Sequence, residues 1–190
     1  MKVTSIMIVG VGGQGTLLAS RLIGHVLIEK GYDVKLSEVH GMSQRGGSVV
    51  TYVKYGEKVY SPIVDPGEAD FILSFEAIEG ARWISCLAPD GKLITNTQKM
   101  YPMPVITGAM KYPENAVEKL SALSDTVSVD ALAMAREAGS PKAANTVLLG
   151  VLSRYMPEID LEQWMKAIEN VVKPAFVEMN KKAFLMGRSI

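Results

Sequence analysis

One turn near the amino terminus most constrains the fold of this chain. The apolar run at residues 6–9 stops at a glycine-rich turn, residues 10–15, which reads GVGGQG and satisfies G-x-G-x-x-G. A continuous apolar run that ends at glycine is typical of a strand covered on both faces, as in parallel sheets. Apolar residues then recur at every fourth position from Leu18 to Val26, and Gly31 is placed to end that helix in a left-handed conformation. The pattern predicts an α/β fold that begins with a strand, a glycine turn and a helix.

The rest of the chain continues the α/β pattern without an internal repeat or a linker. Residues 33–39 complete a strand–helix–strand unit, and the β-forming residues at 48–60, interrupted by YGEK, predict an inserted β-hairpin. The further predicted elements are a strand at 71–75, a helix at 76–87, a turn at 89–91, a strand at 93–94, an irregular connection at 99–113, and helices at 129–138, at 144–155, after an Asp160–Gln163 capping box and from Pro174. Together these patterns predict a Rossmann-like, mostly parallel sheet with flanking helices and an inserted β-hairpin, folded as a single domain over residues 1–190.

Charge and composition exclude several classes of function. Lys plus Arg and Asp plus Glu number 20 each, so the chain has no basic field for nucleic acid. No apolar stretch reaches the roughly 18 residues of a membrane span, and no signal peptide is recognisable. We therefore expect a cytoplasmic protein with no nucleic-acid or membrane partner. The single cysteine, Cys86, cannot alone hold zinc or an iron–sulfur cluster, and we interpret it as a small core residue.

Residues 10–15, the first glycine loop, lie where a phosphate-binding turn is expected. Glycines let backbone N–H groups approach a phosphate, and the helix N-terminus adds a partial positive charge. Thr16 offers a hydroxyl donor, and Glu38 ends the second strand, where dinucleotide-binding folds keep an acid for a ribose hydroxyl. Glycines at such a turn also serve tight packing or a contact between subunits, so both interpretations stay open. The Gln14 amide is the informative side chain, because a simple turn does not need it.

Residues 37–47, the second glycine loop, read SEVHGMSQRGG and follow the second strand. Because they leave the sheet at the same edge as the first loop, we expect the two loops to lie close together. Arg45 is suited to a phosphate or to a carboxylate of a partner subunit, and His40 can titrate near neutral pH. The alternative is a solvated loop whose glycines only make turns. The candidate binding residues of the two loops are Gly10, Gly12, Gly13, Gln14, Gly15, Thr16, Glu38, His40, Gly41, Ser43, Gln44, Arg45, Gly46 and Gly47.

The two motifs together resemble a known family. GVGGQG at 10–15, followed by SEVHGMSQRGG at 37–47, is similar to the gamma-type domain of 2-oxoacid:ferredoxin oxidoreductases and, within that family, to the beta subunits of the indolepyruvate enzymes. The segment NTVLLG at 145–150 also resembles the family, and it adds Asn145 to the candidate binding residues. This pair of motifs at this spacing is far more specific than a lone G-x-G-x-x-G, and the resemblance extends over most of the chain.

The resemblance implies a subunit of an enzyme that converts a 2-oxoacid, here an aryl-pyruvate such as indolepyruvate, to acyl-CoA, CO2 and reduced ferredoxin. It implies thiamine diphosphate, magnesium and iron–sulfur clusters. Because this chain has no cysteine cluster and no Gly-Asp-Gly segment with a downstream Asn, we expect those groups on a partner alpha subunit. The chain then holds no cofactor, metal ion or catalytic residue of its own, is inactive alone, and contacts CoA and the 2-oxoacid at a shared site.

Two alternatives to this interpretation stay open. The first is a free-standing NAD(P)- or FAD-dependent Rossmann oxidoreductase, which rests on the first glycine loop and Glu38. The second is a CoA- or phosphate-binding module without a redox partner. Binding of dinucleotides or of CoA by the isolated chain separates them from the accessory-subunit interpretation.

Overall fold

The structure, a computed structural model, describes residues 3–41 and 46–190. Within these residues six strands form one sheet. They are β1 (Thr4–Val11), β2 (Asp33–His40), β3 (Ser48–Gly56), β4 (Ala69–Ser74), β5 (Leu87–Asn96) and β6 (Asp125–Val129). Their order across the sheet is β2-β3-β1-β4-β5-β6. The pairs β1–β4, β4–β5 and β5–β6 are parallel, whereas β3 is antiparallel to both β1 and β2. The predicted α/β fold with a mostly parallel sheet is therefore confirmed.

Eight helices in the described residues pack on the sheet or follow its strands. They are α1 (Thr16–Glu29), α2 (Ala77–Trp83), α3 (Met103–Ile106), α4 (Ala116–Leu123), α5 (Ala131–Ala138), α6 (Ala144–Ser153), α7 (Leu161–Val171) and α8 (Val177–Arg188). Gly31 follows α1 with a φ of +90°, as predicted. The predicted capping box at the start of α7 is present, with the Asp160 N–H donating to Gln163 Oε1 at 3.0 Å.

The core lies on both faces of the sheet, as the apolar run of β1 predicts. Ile6 and Ile8 point into the larger cluster, which is built with α1 and α5 to α8, and Met7 and Val9 point into a smaller cluster with α2 and α4. All four side chains are fully buried. Each such burial contributes about 1.5–3 kcal/mol to folding, so β1 anchors the edge of the sheet from which the first glycine loop leaves.

The position of the β-hairpin differs from the prediction. Residues 48–60 do not form a hairpin by themselves, because Ser48–Gly56 is one strand and Val59 and Tyr60 lie outside any strand. The antiparallel hairpin is formed instead by β2 and β3. Residues 37–40 of the predicted second glycine loop belong to β2, and residues 41–47 join the two strands. β3 pairs along both of its edges and is largely buried, and this environment explains its continuous run of β-forming residues.

Three smaller predictions are also corrected. The predicted turn at 89–91 lies inside β5, as an irregularity where the pairing jumps from Leu87 opposite Ala69 to Lys92 opposite Phe71. The predicted helix at 129–138 begins only at Ala131, because residues 125–129 form β6, a short and partly polar strand without a clear β pattern. The helix predicted at 76–87 ends at Trp83, and a 3-10 turn follows it.

Two findings bear on the class of protein. None of the helices in residues 3–41 and 46–190 combines the length and the apolar character that crossing a lipid bilayer requires. Cys86 is buried, as predicted, and its burial raises the pKa of the thiol, which therefore stays protonated at neutral pH. Cys86 is thus a packing residue of the smaller cluster.

Candidate functional site

The two glycine loops meet at one edge of the sheet. The Gly12 N–H donates to the Gly47 carbonyl at 2.8 Å, and the Gly46 N–H donates to the Gly12 carbonyl at 3.1 Å. The prediction that the loops lie together is confirmed for these residues. Ser43, Gln44 and Arg45 lie outside the described residues, and their roles remain predictions from the sequence. Gly41 is exposed beside that segment.

The first glycine loop is braced from within by Gln14. Its Oε1 accepts the Val11 N–H at 2.7 Å, and its Nε2 donates to the Phe75 carbonyl at 3.0 Å. The amide therefore ties the end of β1 to the end of β4. Gly10 makes room for this brace, because a Cβ there would lie 2.8 Å from Gln14 Oε1 and 3.0 Å from Phe75 Cβ. The donating and accepting ability of Gln14 thus has a structural use that the sequence alone did not reveal.

Asn145, at the start of α6, closes the other end of the same loop. Its Nδ2 donates to the Gly15 carbonyl at 3.2 Å, and its Oδ1 accepts the Thr146 N–H at 2.8 Å. Gly15 has a φ of +87°, and a Cβ at that position would lie 2.4 Å from Asn145 Nδ2. Only glycine satisfies both the left-handed backbone and the close approach. The structure therefore brings a residue that the sequence places 130 positions away onto the first glycine loop.

A cleft of about 580 Å³ opens on the α6 side of the first glycine loop. It is lined by Gly12, Gly13, Gln14, Gly15, Leu18, Phe75, Asn96, Gln98, Met100, Leu132, Pro141, Lys142, Ala144, Asn145 and Leu148. The helix α1 begins here with no acidic residue in its first turn and no side-chain cap at Gly15. Its positive dipole end and the positive charge of Lys142, a residue that lines the cleft, therefore favour an anion there.

Lys142, which sequence reasoning missed, is the cationic side chain of that cleft. It lies in the 3-10 turn Pro141–Ala143, where its N–H donates to Ser140 Oγ at 3.3 Å. Its position in the sequence could have indicated this role, because Lys142 follows Pro141 directly and stands three residues before the candidate residue Asn145. Asn96, also missed, is buried at the end of β5 and joins Phe75 to Ala131 through its amide.

A second cleft, of about 430 Å³, lies on the opposite side of the same loop. It is lined by Gly12, Gly13, Gly15, Thr16, Leu17, Glu38, His40 and Val49. Glu38 and His40, the predicted side chains of the second loop's first half, thus face the first loop across this cleft. The first glycine loop is a ridge between the two clefts, and the predicted residues divide between them: Asn145 and Gln14 line one, and Thr16, Glu38 and His40 line the other.

Two buried glutamates, which we call the α2 glutamates, organise a third part of this edge, and sequence reasoning also missed them. They are Glu76, the N-cap residue of α2, and Glu79 within the helix. Glu76 and Glu79 are 1% and 6% exposed. Glu76 caps α2, its Oε2 accepting the N–H of Ile78 at 2.7 Å, while Glu79 accepts hydrogen bonds from Ser48 Oγ and from Arg82 Nε. The only sequence signal was an acid directly after an apolar strand at the edge where the loops gather.

Metal-binding groups of three or more His, Cys, Asp or Glu side chains do not occur in residues 3–41 and 46–190. One cysteine cannot supply the several thiolates of an iron–sulfur cluster, so this chain alone does not fit that group. The first cleft is suited to anion binding and hydrogen bonding.

Comparison with known proteins connects this geometry to a family. Residues 5–190 match the family model described as pyruvate ferredoxin/flavodoxin oxidoreductase. The chain is 42% identical to the indolepyruvate oxidoreductase subunit IorB of Thermococcus kodakarensis and 40% identical to that of Pyrococcus horikoshii, in each case over 98% of this chain and 95% of the relative. Among solved structures, it is similar to pyruvate oxidoreductase subunit PORC from Thermotoga maritima, with a TM-score of 0.76 over 100% of this chain and 97% of that one. At 22% identity, the latter likeness concerns the fold.

Proposed function

The chain belongs to the pyruvate ferredoxin/flavodoxin oxidoreductase family, and from this premise we propose that it is the accessory subunit of a 2-oxoacid:ferredoxin oxidoreductase that acts on indolepyruvate or a related aryl-pyruvate. Identity of 40–42% to IorB subunits over nearly the full length is the observation that carries this proposal. The hydrogen bonds between the two glycine loops support it, because they make one continuous face from the two motifs on which the resemblance rests.

The proposed division of labour leaves the redox chemistry to a partner. We place thiamine diphosphate, magnesium and iron–sulfur clusters on an alpha subunit, where they supply carbanion formation and electron transfer to ferredoxin. This division is what membership of the family implies for a chain with a single cysteine. This chain, as a single domain, then shapes and completes the shared site.

The first cleft is the proposed contact with CoA. A diphosphate carries negative charge, and the cleft offers Lys142, the N-terminal end of α1 and the backbone of the first glycine loop. Asn145 and Gln14 hold that loop in shape through bonds to Gly15, Val11 and Phe75. Their proposed role is therefore to position the binding backbone. The rival possibility, that the loops contact only the partner subunit, is decided by the CoA kinetics of a Lys142 variant.

The second cleft and second loop are proposed to face the partner or the 2-oxoacid. Glu38 and His40 line that cleft, and Thr16 lies at its floor, 6% exposed. Ser43, Gln44 and Arg45 complete the proposed set on the strength of the sequence motif. A cytoplasmic location and electron transfer to ferredoxin through the complex also remain predictions.

The free-standing dinucleotide-dependent oxidoreductase is not favoured. Family membership over residues 5–190 and identity to oxidoreductase subunits both point to a chain that works with others. The CoA-binding module without a redox partner is separated from the main proposal by the reconstitution experiment.

Reconstitution tests the proposed function. The chain and a candidate large thiamine- and cluster-type subunit from the same organism are produced separately and together, and ferredoxin reduction is followed with CoA and either indolepyruvate, phenylpyruvate, pyruvate or 2-oxoglutarate. We expect a stable complex, activity only when both chains are present, and the highest kcat/KM for an aryl-pyruvate. Activity of either chain alone, or failure of the two to associate, would contradict the proposal.

A further inference from the structure

Residues 99–113, which we call the 99–113 loop, carry a group of exposed apolar side chains beside the candidate site. Tyr101, Met103, Ile106 and Met110 are 56%, 66%, 65% and 63% exposed. Met103 and Ile106 are three residues apart on α3, so they share one helical face. Single exposed apolar residues are ordinary, but four within ten positions form a local patch that calls for a partner.

The patch is held in a defined shape. The Thr107 N–H donates to the Met103 carbonyl and the Met110 N–H to the Pro104 carbonyl, both at 2.9 Å, so the middle of the loop is closed by its own backbone. At its ends, Glu76 Oε1 accepts the Met100 N–H at 3.4 Å and the Tyr112 hydroxyl. Fixing the backbone of one residue costs about 1–2 kcal/mol of conformational entropy. Because the loop is already ordered by folding, a partner that binds it does not have to overcome that cost.

The Tyr112 hydroxyl donates the hydrogen bond that attaches the end of the loop to Glu76. Burial, and to a smaller extent this hydrogen bond, raise the pKa of the hydroxyl, so it is protonated at neutral pH and can donate. The Tyr101 ring packs edge-on against the Tyr112 ring, with centroids 5.2 Å apart. Tyr112, which is bonded to Glu76, therefore also helps to hold Tyr101 of the patch in place.

The same helix fixes the patch relative to the second glycine loop. Glu76 of α2 holds the 99–113 loop, and Glu79, one turn later, accepts the hydroxyl of Ser48, the residue after that glycine loop. A groove of about 140 Å³ runs between the two segments, with Gly46 on one side and Tyr101 on the other. Tyr101 therefore faces the second glycine loop across this groove, and it brings the 99–113 loop next to the candidate site.

The charges of the 99–113 loop indicate which kind of partner can bind there. The 99–113 loop contains two lysines, Lys99 and Lys111, and no acidic residue. A second copy of this chain docked patch to patch would bring like charges into a water-excluded contact, which is unfavourable. A partner that presents an apolar surface bordered by carboxylates is complementary to it.

We propose that the 99–113 loop is the docking surface for the partner subunit of the oxidoreductase, which presents an apolar surface bordered by carboxylates. This proposal rests on the proposed function. It adds a location to it: the α2 glutamates hold the docking loop and the second glycine loop together, so docking places the partner against the two glycine loops and the shared site.

Ile106→Glu tests the docking surface, with Ile28→Glu as the matched control. Ile106 and Ile28 are the same residue type and are 65% and 64% exposed, but Ile28 lies in the last turn of α1, a helix of the larger cluster. The dissociation constant of each purified variant for the purified partner subunit is measured by calorimetry. We expect Ile106→Glu to weaken binding by about tenfold or more, because a carboxylate enters an apolar contact beside the partner's own carboxylates, and Ile28→Glu to bind like wild type.

Met103→Glu, on the same face of α3, is the second variant, and circular dichroism checks the fold of each. Sedimentation of the chain alone reports self-association. Wild-type affinity of both loop variants for the partner would overturn the docking proposal while leaving the proposed function intact. Self-association that only the loop variants abolish would overturn it in favour of a second copy. Failure of the wild-type chain to bind any partner would overturn both proposals.

Discussion

At the scale of single residues, the candidate site shows how far residue type predicts role. Gln14 and Asn145 were both predicted as contact residues, and both line the first cleft, yet their amides are used to shape the first glycine loop. Lys142 has no such internal use of its ammonium group among the hydrogen bonds described for it. It is therefore the side chain through which the cleft can act on an anionic ligand.

Lys142→Ala is expected to weaken CoA binding selectively. A charge-assisted bond to a phosphate is worth about 1.5–3 kcal/mol, so the KM for CoA should rise about tenfold or more in the reconstituted complex. The KM for the 2-oxoacid should stay unchanged, since the first cleft is the proposed CoA contact alone. Lys142→Arg, which keeps the charge, should behave nearly as wild type, and Lys119→Ala on the exposed face of α4 is the matched control. An unchanged KM for CoA would mean that the loops contact only the partner subunit.

At the scale of elements, α6 is positioned by a close crossing with α8. A Cβ at Gly187 of α8 would lie 1.9 Å from the Val147 carbonyl oxygen, and one at Gly150 of α6 would lie 2.1 Å from the Phe184 carbonyl oxygen. The helices therefore touch backbone to backbone. Because Asn145 stands at the start of α6, this crossing also sets where its amide meets the first glycine loop.

Gly187→Ala is expected to destabilise the fold, although alanine normally stabilises a helix by about 0.8–1.0 kcal/mol relative to glycine. The added methyl group meets backbone that cannot move without separating the helices, and such overpacking costs about 1–3 kcal/mol. Gly24→Ala in α1 is the control, because its Cβ would meet only Leu36 Cδ1 at 4.0 Å. Urea unfolding should show lower stability for the first variant and equal or higher stability for the second. Stabilisation by both substitutions would contradict the close crossing.

At the scale of the whole molecule, the strand order bears on the dinucleotide alternative. In dinucleotide-binding sheets the second strand lies beside the first. Here β3 intervenes, with Glu38 of β2 opposite Thr51 of β3, so Glu38 is displaced from β1 by two strand spacings, about 10 Å. The acid that suggested a ribose contact therefore faces the first glycine loop across the second cleft but does not stand on the strand next to β1, as it does in a dinucleotide-binding sheet.

The isolated chain is accordingly expected to bind no dinucleotide with micromolar affinity. Titration with NAD+, NADP+ and FAD, followed by calorimetry, should give no saturable heat at concentrations up to about a hundred micromolar, which lies within the range of KM values typical of enzymes. A known dinucleotide-binding protein measured under the same conditions serves as the control. Saturable binding of any of the three at micromolar concentration would restore the free-standing oxidoreductase as the better interpretation.

The sequence alone determined what depends on neighbours along the chain. The burial of β1, the end of α1 at Gly31, the capping box of α7 and the glycine loop between β1 and α1 all follow from residue types a few positions apart. Those signals are local because the side-chain period of a strand or helix decides which positions are buried. The unpaired backbone groups at a helix end decide which residues stand there.

Only the tertiary structure decided what joins distant segments. β3 takes its place between β1 and β2, Asn145 reaches Gly15, and the α2 glutamates hold both Ser48 and Tyr112. Strand order and buried hydrogen bonds depend on contacts between segments that are far apart in the chain, because all buried polar groups must find partners in the same fold. A local sequence pattern does not encode those contacts. The two glycine loops can thus be recognised from the sequence. Their arrangement around two clefts, beside the 99–113 loop, becomes visible only in the folded molecule.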